Sequence, residues 1–124
     1  MSAAFVNLAS AREARDLPKV LETPPPGTII QIVGDSMIDP KAPFGTNSLR
    51  PGDFVAVDPA DIRPNTGGGV YALVEHGAVV VKQVQAMPGG ILRVSPRNPV
   101  YSSYDAPAAE IEIVGRASAR VSWL

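Results

Sequence analysis

The sequence predicts an all-β fold, a small irregular barrel or sandwich of hairpins with an N-terminal arm, and three observations predict it. Six short runs rich in β-branched residues (28–33, 54–58, 70–75, 78–86, 91–95 and 111–121) are each bounded by Gly, Pro, Asn or Asp. Two turn signals, Glu75-His76-Gly77-Ala78 and Met87-Pro88-Gly89-Gly90, join successive runs as hairpins. Strand and helix patterns do not alternate as in a parallel sheet, and thirteen prolines suit the loops and edges of a compact β fold.

Taken in order, residues 1–27 stand apart from the rest. Segment 10–17 has the Ala, Arg and Glu content of a helix with Ser10 as its cap, while Thr23-Pro24-Pro25-Pro26-Gly27 excludes regular helix or central strand. We read 1–27 as an arm or linker and 28–124 as one domain, since 124 residues hold one modest core and not two. Gly67-Gly68-Gly69 leads into a strand and lacks the Lys-Ser/Thr of a phosphate-binding loop, so it reads as a flexible connection.

Composition narrows the function. A net charge of −1 with scattered Lys and Arg provides no basic face for nucleic acid. The absence of cysteine and the single histidine leave no disulfide framework and no zinc set, so no cofactor is expected. No charged segment followed by an apolar stretch opens the chain and no run approaches the ~18 apolar residues of a membrane span, so a cytoplasmic protein is expected.

Two short motifs carry the chemistry. Gly34-Asp35-Ser36-Met37 ends the first β run; Lys82 is embedded in Val79-Val80-Val81-Lys82-Gln83-Val84. A serine hydroxyl needs a base, and a lysine with an ordinary pKa of about 10.4 is protonated at neutral pH and cannot serve. In a strand Lys82 shares its face with Val80 and Val84, and desolvation there should disfavour the ammonium. Gly34 permits the backbone angles of a tight turn that presents the hydroxyl and leaves N–H groups free for an oxyanion. The plainer alternative is a turn serine and a snorkelling lysine.

Four pieces in this order resemble the C-terminal domain of the LexA, lambda-repressor and UmuD proteins, self-cleaving serine peptidases of the bacterial DNA-damage response. They are Gly34-Asp35-Ser36-Met37-Ile38-Asp39; Leu49-Arg50-Pro51-Gly52-Asp53-Phe54-Val55-Ala56-Val57-Asp58; Gly69-Val70-Tyr71-Ala72-Leu73-Val74 with Val81-Lys82-Gln83-Val84; and Arg97-Asn98-Pro99-Val100-Tyr101 with Ile113-Val114-Gly115-Arg116 and Trp123. The resemblance implies Ser36 as nucleophile, Lys82 as general base, and the backbone N–H groups of Asp35 and Ser36 as oxyanion donors. It also implies a homodimer, activation by the RecA–single-stranded DNA filament, and DNA contact only through a helix-turn-helix domain absent from this chain.

The sequence departs from the family pattern twice. Lys41-Ala42-Pro43-Phe44-Gly45-Thr46-Asn47-Ser48 lengthens the link after the serine, as in lambda-type phage repressors, though surface insertions are commonly tolerated. The family's Ala-Gly or Cys-Gly cleavage dipeptide is absent, and by family spacing the scissile bond would fall near or before Met1. The chain is thus expected to be the catalytic and dimerisation fragment of a LexA-like or prophage repressor. A UmuD-like polymerase accessory subunit and a non-catalytic dimerisation module stay open.

Other candidates are weaker. His76 is the rival base, but a hairpin turn should expose it. Asp53 and Asp58 flank a strand as turn residues, Met37 should pack beneath the serine, and Trp123 should anchor the core or an interface that includes segment 111–123.

Overall fold

The computed structural model describes residues 3–7, 20–21, 28–45 and 48–123. Among the described residues nine strands run β1 (Ala3–Asn7), β2 (Val20–Leu21), β3 (Thr28–Gln31), β4 (Phe54–Asp58), β5 (Gly69–Glu75), β6 (Ala78–Met87), β7 (Ile91–Ser95), β8 (Tyr104–Pro107) and β9 (Ile113–Trp123), with one 3-10 turn at Ala108–Glu110. They form a single sheet in which every pair is antiparallel, so the chain is all-β as its sequence predicts. The helix-compatible segment 10–17 and the proline run 23–27 lie outside the described residues. Within the expected arm, β1 pairs with β2 and with the end of β9, strands that the short, Ala-rich sequence does not announce.

β9 organises the sheet. One of its edges takes β1 and then β5, while the other takes β4, and β3 pairs with β4 alone. Its register shifts once against β4 and once against β5, and such bulges bend a strand and increase its twist. Between them lies Gly115, where a Cβ would collide with the Asp58 carbonyl and stand 2.7 Å from Val57 Cγ1. Only glycine lets β4 cross this close. The expected interface segment 111–123 is thereby central: Ala117, Ala119 and Val121 are already buried in the chain's own core. The side chain of Trp123 lies outside the described residues; its backbone pairs with Ala3.

The β5–β6 hairpin turns on His76 and Gly77, both at positive φ (51° and 78°), the geometry of a two-residue turn whose twist matches the strands. Residues of this hairpin alternate between two apolar clusters. Val70, Ala72 and Val81 pack with Ile32, Met37, Leu49, Val55 and Val57. Tyr71, Leu73, Val80 and Val84 pack with Leu92 and Val94 from β7. Fully burying a Val, Leu, Ile or Met side chain contributes about 1.5–3 kcal/mol, so both faces hold the hairpin in place.

Candidate active site

The first β run ends earlier than expected, at Gln31, and the chain passes through buried Ile32 into a turn. Ile32 donates to the Asp53 carbonyl at 2.7 Å and its own carbonyl accepts from Gly52 at 3.0 Å, tying the entry of the turn to the segment before β4. Gly34 has φ 78° and no atom within 4 Å of a built Cβ, so the backbone angle, not space, demands glycine. Ile38 closes the turn on the Asp35 carbonyl at 3.2 Å. Ser36 is half-buried on this turn, above Met37, which is fully packed as expected.

Asn98, from the loop after β7, grips the turn. Its amide donates to the Ser36 carbonyl at 3.0 Å and its side-chain nitrogen to the Asp35 carbonyl at 3.2 Å. The Tyr101 hydroxyl donates to the Asp35 carboxylate, and that hydrogen bond raises the phenol pKa. Among the described residues the N–H groups of Asp35 and Ser36 make no hydrogen bond, so both donors are available to a ligand oxygen.

Lys82 projects from β6 opposite Tyr71, on the face of Val80 and Val84, as the alternation predicts. Its Nζ donates to Glu75 Oε1 at 2.8 Å, both side chains being largely covered (18% and 15% exposed). Glu75 sits opposite Ala78, so the ion pair runs along the hairpin past the Leu73–Val80 rung. The other Glu75 oxygen accepts from the Tyr104 hydroxyl of β8. Burial pushes the Glu75 pKa up, but hydrogen bonds from Lys82 and Tyr104, with the charges of Lys82 and His76, outweigh it and hold the carboxyl below its ordinary value. Tyr104 is raised well above the usual phenol range by burial, its bond to Glu75 and that carboxylate's charge.

Lys82, Glu75 and Tyr104 line one cleft of about 440 Å³ with His76, Glu110 and Ile111. A second cleft, of about 450 Å³, opens between residues 39–41 and 96–99 with Gln83 in its wall.

Ser36 and Lys82 lie on different sides of β6: Val81 packs with Met37 and Gln83 lines the cleft of Asp39 and Lys41, whereas Lys82 points to the face of Val80 and Val84, into the cleft of Glu75 and Tyr104. No hydrogen bond joins them: Met37, beside Ser36, packs in the Val81 cluster, and the Lys82 ammonium is engaged by Glu75. Of the rival residues, His76 is exposed at its turn, Asp53 accepts from the Arg50 amide, and Asp58 accepts from the Ala60 amide, the last two being local turn bonds as expected. Gly67–Gly69 leads into β5. Among the described residues no three His, Asp or Glu side chains gather as a metal-binding set, and no helix is long and apolar enough to cross a membrane.

The profile of the Peptidase S24-like family matches residues 4–118, nearly the whole chain. The chain belongs to the Peptidase S24-like family. The match includes β2, all of β1 but Ala3, and every residue of the Ser36 turn and the Lys82 hairpin. Membership points to an activity of the serine-peptidase kind. Among curated proteins none matches the chain.

Asn98, Tyr101, Glu75 and Tyr104 are the site residues that sequence reasoning missed. Asn98 and Tyr101 lie in a stretch that carries the resemblance to the family, which was the available signal; Glu75 and Tyr104 gave none.

Proposed function

We propose that this S24-like domain is the self-cleavage and dimerisation domain of a LexA-like or phage-type repressor, with Ser36 as nucleophile and Lys82 as its base. The reading is carried by the Ser36 turn, which pairs a half-buried serine with two unengaged backbone donors in a chain of a peptidase family. Ser36 Oγ attacks a peptide carbonyl of its own polypeptide while the neutral Lys82 amine takes the hydroxyl proton. The N–H groups of Asp35 and Ser36 hold the oxyanion. Lys82 returns the proton to the leaving amine, and water, deprotonated by the same amine, releases the acyl group. The RecA filament would act by favouring the conformer with the cleavage segment docked, a population shift that adds no catalytic group. Such a repressor works in the cytoplasm as a dimer, because its operator has two half-sites.

The test is labelling with a fluorophosphonate, which phosphonylates an activated serine as its Oγ displaces fluoride from phosphorus. Labelling of Ser36 that rises toward alkaline pH and is lost in Ser36→Ala and Lys82→Ala supports the dyad. Labelling that persists undiminished in Lys82→Ala removes Lys82 from the role of base.

The Lys82–Glu75 ion pair favours a second reading, a non-catalytic dimerisation module in which Lys82 is a structural cation. That reading expects no labelling of Ser36 at any pH.

A further inference from the structure

We propose that Glu75, anchored by Tyr104, is a positioning residue that holds Lys82 as an ammonium turned away from Ser36, and so sets the pH at which the lysine becomes a base. The inference rests on the Ser36–Lys82 reading and names the control of that site.

The geometry supplies three observations. The Lys82 ammonium bonds the Glu75 carboxylate at 2.8 Å in a largely covered position, where solvent screens the attraction far less than at an open surface. The carboxylate is itself fixed, because its second oxygen accepts from Tyr104 on another strand, so Glu75 cannot swing out to water without breaking that bond. The rung between Lys82 and Glu75 is apolar, with Leu73 and Val80 on the same face, so a lysine deprived of its carboxylate would face desolvation without compensation. Other charged and titratable groups facing Lys82 do not replace Glu75. Tyr71, directly opposite, is a phenol whose pKa is raised by burial and by Asp61, more than Arg116 lowers it, and it remains neutral. His76 is exposed on the turn, and Glu110 lies on the 3-10 turn at the cleft wall without a bond to Lys82.

The chemistry follows from the pair. An ammonium held by a carboxylate has no lone pair for the serine proton, and release of Lys82 from Glu75 both frees Nζ to move and removes the charge that favours its protonation. A peptide closing the cleft at Tyr104 would disturb the anchor and act in the same sense.

Two measurements on the intact chain test this. The first follows competitive acetylation of the Lys82 amine against pH by mass spectrometry in the wild type, Glu75→Gln and Tyr104→Phe. The second follows fluorophosphonate labelling of Ser36 over the same range. In Glu75→Gln the Lys82 profile should move down by about one pH unit or more, and Ser36 labelling near neutrality should rise about tenfold, since each unit of base pKa below the alkaline limit exposes about tenfold more free amine. Tyr104→Phe should give a smaller shift in the same direction, and Glu75→Asp should partly restore the wild-type profile, which a merely structural role would not do. An unchanged Lys82 profile in Glu75→Gln overturns the positioning role whatever Ser36 does. A Ser36 that stays unlabelled in every variant and at every pH overturns the dyad reading, and with it the control, even where the Lys82 profile moves.

Discussion

Asn98 holds the Ser36 turn from the loop after β7: its amide donates to the Ser36 carbonyl at 3.0 Å, while its side chain reaches the Asp35 carbonyl at 3.2 Å. The same side chain accepts from the Val100 amide at 3.2 Å, so one residue shapes its own loop and clamps the serine turn. Asn98→Ala keeps the backbone bond and loses the two side-chain bonds. These are exposed, so the expected loss of stability is modest, about 0.5–1.5 kcal/mol by denaturant unfolding. The effect on Ser36 should exceed it in kind. Fluorophosphonate labelling should fall several-fold with the fold intact, because the oxyanion donors of Asp35 and Ser36 lose their fixed direction. Unaltered labelling in a folded Asn98→Ala protein would show that the turn is self-supporting.

Acid should weaken the fold through Glu75. Its pKa is depressed in the folded chain from the ordinary 4.5, so its contribution is fully present above that value and is lost as pH falls through the lower folded value. Glu75→Gln should therefore be less stable than wild type at neutral pH. The expected gap is about 1–2 kcal/mol, below the roughly 3–5 kcal/mol of a fully buried broken pair, because Lys82 and Glu75 retain some solvent contact. The gap should narrow below pH 4.5. Urea titrations from neutrality to pH 3 check this, and a gap that stays constant or widens on acidification would contradict it.

Gly115 should tolerate no side chain. A methyl group there would meet Asp58 backbone and Val57 Cγ1 at 2.7 Å, and the backbone of β4 cannot yield as a flexible side chain would. Gly115→Ala should cost about 1–3 kcal/mol, the usual range for forced overpacking, and lower the melting temperature by several degrees. A melting temperature equal to the wild type's would mean that β4 and β9 separate freely at the crossing.

What the sequence discloses and what it hides divide along one line. Local signals are legible: 54–58 and 91–95 are strands to the residue, His76-Gly77 makes the hairpin turn, and Gly34 makes the serine turn. β8 is hidden because Tyr104–Pro107 has no apolar alternation, three of its four residues being exposed, and it contains a proline that an outer strand accommodates. β1 and β2 are hidden because an Ala-rich pentad and a dipeptide become strands only by pairing with β9 and with each other. The partners at the site are hidden for a related reason. That Glu75 would engage Lys82, and that Tyr104 would fix Glu75, depends on which hairpin register and which neighbouring strand the whole sheet selects.

The insertion after the serine motif is more than a surface loop. Ser48 is buried and its hydroxyl accepts from the Asp39 amide at 3.0 Å, while buried Leu49 donates from its amide to the Met37 carbonyl at 3.0 Å. Arg120 of β9 then pins the insertion from the sheet side, donating from one terminal nitrogen to the Gly45 carbonyl at 3.4 Å and the Ser48 carbonyl at 3.3 Å. At the tip, the Arg50 guanidinium lies 4.6 Å from the centre of the exposed Phe44 ring, a contact worth about 0.5–1 kcal/mol in such a setting. The two bonds from Arg120 are long, so each contributes little, and the covered guanidinium stem supplies part of the effect by packing. Arg120→Ala should cost about 1–2 kcal/mol overall, and its sign of specificity is where the protein opens. Limited proteolysis should cut Arg120→Ala first within 41–49 while the β5–β6 hairpin stays protected, and Arg50→Ala should give weaker cutting at the same place. If instead the first cuts in Arg120→Ala fall in β4 or β9, Arg120 supports the sheet and not the insertion.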